Sequence, residues 1–134
     1  MNASIASGSS GEKGAVGEAI ISGILETLPE NYFVVHDFSN RLGNIDHVVI
    51  GPTGIFVIDT KNWKGVIESE SGELKYNGNS PTKPLIGKMT GAIMTFREKL
   101  NVLVDRECYV NGIIVFTAAY LRIGDTGAIR CLTR

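Results

Sequence analysis

The segment running from Ile45 to Lys61, IDHVVIGPTGIFVIDTK, is among the most apolar in the chain, yet Asp46, Asp59 and Lys61 interrupt it. Two runs of β-branched and aromatic residues flank Gly51-Pro52-Thr53-Gly54, where proline suits the first corner of a turn and glycine its end. The pattern is a β-hairpin. Neither run alternates cleanly between apolar and polar in its middle, so both faces are expected to be covered, as in the centre of an α/β sheet. Charges inside such strands cost several kcal/mol each unless something offsets them.

A two-residue turn centred between Pro52 and Thr53 sets Asp46 opposite Asp59 and Asn44 opposite Lys61, with Cβ atoms about 4.5–5.5 Å apart on one face. Lys61, two residues after Asp59, shares that face. A three-residue turn with a bulge at Gly54 shifts the pairing by one residue, and the spacing allows either. Two facing carboxylates repel unless a proton or cation separates them. All-oxygen ligands suit Mg²⁺ or Mn²⁺ better than zinc. The plainer reading pairs Lys61 with one of the acids in a purely structural ion pair.

With 134 residues, of which 43% are hydrophobic, the chain suits one domain with a core. Residues 1–13, rich in Ser, Gly and Asn, read as a flexible leader, and 14–134 as the domain. Ala15, Val16, Ala19, Ile20, Gly23, Ile24 and Leu28 recur at intervals of three and four, which predicts a helix ending near Pro29. A first strand follows at 32–38, and then the hairpin. A small, more exposed hairpin is expected at 66–76, with a loop over 77–83. Leu85, Met89, Ile93, Phe96, Leu100 and Leu103 form one stripe after Pro84 and predict a second helix with that stripe in the core. Strands at 112–117 and 128–132 complete an αβββαβ order with additions, which is a mixed α/β domain.

The 13 Lys plus Arg against 14 Asp plus Glu exclude a broadly basic nucleic-acid coat, so any phosphate contact must come from a local patch. No apolar run reaches the roughly 18 residues of a membrane span, and a cytoplasmic protein without membrane contact is expected. Cys108 and Cys131 lack metal-site spacing and read as buried reduced thiols.

The run GNIDHVVIGPTGIFVIDTKNWKG over residues 43–65 resembles the signature of the nuclease-related domain, NERD, a branch of the PD-(D/E)xK nuclease superfamily. There an Asp opens one strand and an acid-x-Lys triplet ends the next, as Asp46 and Asp59-Thr60-Lys61 do here. Gly17-Glu18 matches the family's helical Gly-Glu. The resemblance implies a restriction-endonuclease-like core, with a mixed central sheet flanked by helices. It also implies hydrolysis of DNA phosphodiesters with Mg²⁺ or Mn²⁺ held by Asp46, Asp59 and the Thr60 carbonyl, supported by Glu18. Lys61 would stabilise water and phosphate in preference to abstracting a proton, since two carboxylates beside it raise its pKa.

Two departures stand out. The triplet acid is Asp59 where Glu is common. Lys83-Pro84-Leu85-Ile86-Gly87 also lacks the Gln that many members carry three positions after the proline.

Around this centre, Asn44, Trp63 and Lys64 are candidate nucleic-acid contacts. A lone Trp at a strand end more often covers core, and His47 reads as a packing histidine satisfied by a backbone partner. Lys64, Lys75, Lys83 and Lys88 are candidates for the phosphate patch, diluted by Glu68, Glu70 and Glu73. The competing expectation is a nuclease fold that binds nucleic acid or protein without cutting.

Overall fold

The computed structural model describes residues 10–134, with side chains described from Gly14 onward. Helix α1 spans Ser10–Leu25, so it begins inside the stretch expected as leader, whose first nine residues lie outside the described part. Strands β1 (Phe33–Phe38), β2 (Ile45–Gly51) and β3 (Gly54–Lys61) follow. After them come β4 (Gly65–Glu70), β5 (Glu73–Tyr76), helix α2 (Leu85–Val104), β6 (Val110–Phe116), β7 (Ala119–Arg122) and β8 (Ile129–Thr133).

Five strands form a mixed sheet in the order β1-β2-β3-β6-β8. The first three are antiparallel neighbours, and β6 lies parallel to both β3 and β8. Central β3 is covered on both faces, which accounts for its lack of alternation. Val57 belongs to the core shared with Leu85, Met89, Ile93 and Phe96 of α2, and Ile58 packs with Ile21 of α1. The α2 stripe falls as expected except for Leu103, which is 82% exposed in the last turn.

The small hairpin is less peripheral than its sequence implies. Strands β4 and β5 join β7 in a second sheet of three, with β7 running parallel to β4. Ile67 and Leu74 are fully enclosed in the main core. This hairpin also holds the head of α2, where Pro84 supplies no side-chain cap. The Glu73 carboxylate fills that role: Oε1 accepts the Ile86 N–H at 2.8 Å and Oε2 the Gly87 N–H at 3.1 Å. It satisfies two otherwise orphaned donors and places negative charge at the positive end of the helix. Glu73→Ala is therefore expected to lower stability by about 0.5–2 kcal/mol, the range of a lost cap, as measured by urea denaturation.

Candidate active site

Pairing in the hairpin runs from Gly51↔Gly54 to His47↔Ile58, which is the register of the two-residue turn and not of the bulged one. One step further along, where Asp46 meets Asp59, the ladder gives way to side-chain bonding. Asp46 Oδ2 accepts the Thr60 N–H at 2.9 Å and the Thr60 hydroxyl at 3.1 Å. A strand residue directs its N–H and C=O to the same edge, so the Thr60 carbonyl lies on the Asp46 side as well. Lys61 Nζ reaches Asp59 Oδ2 at 3.0 Å, with both side chains mostly enclosed.

The electrostatics follow from this crowding. Burial, and next the Asp59 charge, push the Asp46 carboxyl up to about 8, against the opposing effect of the Thr60 N–H. For Lys61, burial works against the ammonium, but Asp59, Asp46 and Glu18 together more than reverse it and hold the pKa above the ordinary lysine value. Glu18 arrives from α1. Its pKa is raised by burial, then by Asp37 and Asp59, with Lys61 opposing.

Gly17 permits that approach of α1. A Cβ there would stand 2.9 Å from Asn62 Cβ and 3.4 Å from Thr117 Oγ1, at the point where Thr117 donates to Asn62 Oδ1 at 2.7 Å. Alanine in place of a helical glycine ordinarily gains about 0.5–1 kcal/mol, whereas overpacking costs about 1–3 kcal/mol. Gly17→Ala is accordingly expected to destabilise by about 1–2 kcal/mol by thermal denaturation. Gly23→Ala, where nothing lies within 4 Å, is expected to stabilise.

Asp37 is a member of the site that the sequence reading passed over. It sits across from Asp46 near the end of β1, with a left-handed φ of 53°, and its charge is among those that raise the Glu18 pKa. Its signal was available: an acid ending an apolar strand, as Asp46 and Asp59 also interrupt theirs. Among the described residues, no three His, Cys, Asp or Glu side chains close on a common point able to hold a metal. The nearest oxygen donors are thus two carboxylates and a main-chain carbonyl.

The remaining candidates divide. Asn44 is exposed and lines a cleft with Asp59, Lys61 and Lys88. Trp63 packs against Tyr76 and Phe116 with ring centroids 4.9 and 6.3 Å away, while Lys61 Nζ lies 5.8 Å from its ring. Trp63 therefore covers the core. Lys64 is exposed, and its carbonyl receives the Tyr76 hydroxyl. Lys75 is tied to Glu70 at 2.9 Å.

His47 is buried as expected, but its partner is not backbone. Its Nδ1 meets His36 Nδ1 at 2.9 Å, and its Nε2 has no hydrogen-bond partner among the described residues. Burial, then the neighbouring His36, lowers its pKa. Cys108 and Cys131 are free and only half-buried.

A mixed sheet between two helices, with an Asp on one strand and an Asp-x-Lys triplet on the next, defines a nuclease-like α/β domain. The nuclease-related domain model matches residues 13–117, and the chain belongs to that family. It is also 41% identical over 61 residues to an uncharacterized protein of Bacillus anthracis. That match takes in 41% of this chain and 29% of the relative's length. No solved structure matches the chain. Among the described residues, no helix is long and apolar enough to cross a membrane.

Proposed function

We propose that this domain hydrolyses phosphodiester bonds in DNA with the help of Mg²⁺ or Mn²⁺, using Asp46, Asp59, the Thr60 carbonyl and Lys61, with Glu18 in support. The observation that carries the reading is the meeting of Asp46, which accepts the Thr60 N–H and hydroxyl, with Asp59, which holds Lys61, at neighbouring strand ends; burial and the Asp59 charge raise the Asp46 carboxyl in keeping with it. A site that disfavours its own second negative charge gains most from a cation. An all-oxygen donor set fits a hard divalent ion.

Bound there, such an ion supplies a water of lowered pKa and charge to offset that growing on the phosphate. The chain's own residues do the rest. Thr60 orients Asp46 through two hydrogen bonds. Asp59 fixes the Lys61 ammonium at 3.0 Å. Lys61, kept protonated by its acidic neighbours, provides a fixed positive charge for water and phosphate and is a poor base. The two free thiols fit a reducing compartment such as the cytoplasm.

Binding of nucleic acid without cutting is the second reading, favoured by the Lys61–Asp59 ion pair and by the lack of a three-side-chain metal cluster among the described residues. Calorimetric titration with Mn²⁺, run beside cleavage of plasmid and single-stranded DNA, separates the two. Hydrolysis requires metal uptake and strand scission together. A protein that takes up no metal and leaves DNA intact belongs to the second reading.

A further inference from the structure

The loop between β1 and β2 is fastened to α2. Asn40 Nδ2 donates to the Ala92 carbonyl at 2.8 Å, and Leu42 lies against Gly91, where an added Cβ would meet its Cδ1 at 3.9 Å. Between these anchors and Asn44, Gly43 takes a φ of 122°, a conformation that L side chains rarely adopt. A Cβ at that position would stand 3.7 Å from Lys88 Cε. The glycine thus leaves a bare stretch of backbone along which the Lys88 stem lies.

Lys88 thereby lines the same cleft as Asn44, Asp59 and Lys61 while remaining open to solvent. Its position is fixed from below, since it directly follows Gly87, whose N–H is held by Glu73. Among the described residues Lys88 appears in no ion pair, unlike Lys61 with Asp59 or Lys75 with Glu70.

We infer that Lys88 is a phosphate-binding residue of the cleft, gripping a backbone phosphate of the nucleic-acid substrate beside Lys61. The inference rests on the hydrolytic reading above and adds to it a substrate contact made by this chain's own α2. The charge environment agrees: partial enclosure, then Lys61, pulls the Lys88 amine below its ordinary value, with Lys83 adding to this and Asp59 and Asp46 opposing. A lysine crowded by other cations gains from an incoming phosphate. The contact also lies one residue past the position where many family members carry Gln, so a charge-based grip stands beside the missing amide.

The test compares wild type, Lys88→Gln and Lys88→Arg in Mn²⁺-dependent plasmid cleavage across a KCl series, with Mn²⁺ affinity measured by calorimetry on the same samples. Lys88→Gln is expected to raise KM roughly tenfold while kcat and Mn²⁺ affinity stay within about twofold. It should also flatten the logarithmic salt dependence of kcat/KM by about 0.9, the value for one lost phosphate contact on duplex DNA. Lys88→Arg should recover most of the KM.

An unchanged KM and salt slope in Lys88→Gln overturns the inference and leaves the hydrolytic reading standing. Loss of Mn²⁺ affinity together with thermal stability makes Lys88 a structural counter-charge and overturns it too. If the wild type neither takes up Mn²⁺ nor cuts, the hydrolytic reading fails. Anisotropy of a labelled duplex then decides the role of Lys88 by the same salt slope.

Discussion

Asp59→Asn is expected to abolish Mn²⁺ binding and to lower DNA cleavage by at least about a hundredfold, the scale of losing a charge aimed at a reacting centre. It should do so at small expense to the fold. The change preserves shape and removes one of two facing charges. Asp46 is held near neutrality partly by Asp59, so without that charge it ionises more readily and becomes the partner of Lys61. Re-pairing keeps the loss of stability to about 1 kcal/mol, well below the 3–5 kcal/mol typical of a buried charge left alone. Calorimetry, cleavage and urea denaturation on one preparation read all three quantities. A purely structural ion pair gives the reverse pattern, a large drop in stability with an unaltered metal response.

How far the site was legible depended on whether its determinants were local. The hairpin itself was legible because turn residues and β-branched runs act over neighbouring positions, whereas its register stayed open between a two-residue and a bulged turn until the Gly51↔Gly54 pairing fixed it. The role of α1 was not legible. Periodicity located a helix, yet Val16 and Ile24 of its apolar stripe are about half exposed, while Ile21 is 5% exposed and faces the sheet with Gly17. In a helix so rich in Ala, Gly and Ile, small and apolar residues occur all round. The inward face is then chosen by the close approach of Gly17 to Asn62, a contact 45 positions away in sequence.

Strand β7 escaped for a similar reason. Its four residues, Ala119–Arg122, carry little signal of their own and are strand because β4 lies beside them. Lys88 could be placed in a patch from the sequence, but not in the cleft, because its position depends on the glycine backbone of the β1–β2 loop and on the Glu73 cap. Asp37 showed as an acid near the end of an apolar strand, and only its left-handed backbone was beyond what a strand pattern discloses.

The proton on Asp46 leads to the other large expected effect. Folding lifts this carboxyl from 3.8 to about 8, so between about pH 4 and 8 the folded chain holds a proton that the unfolded chain has released. Its contribution to stability is therefore greatest below this window. It falls as pH rises through it, by up to about 1.4 kcal/mol per pH unit, and levels off above. Asp46→Asn, which retains an acceptor for Thr60 and carries no charge, should flatten that slope and leave the empty domain more stable than wild type at pH 9.

Metal uptake reverses the sense of the dependence, because the ion requires the carboxylate and must expel the proton. Apparent Mn²⁺ affinity should rise by up to about tenfold per pH unit between 6 and 8. Titrations at pH 7 in buffers of different ionisation enthalpy should show close to one proton released per ion bound. A pH-independent affinity, with no buffer dependence in the measured heat, would mean that this carboxyl stands outside the metal site.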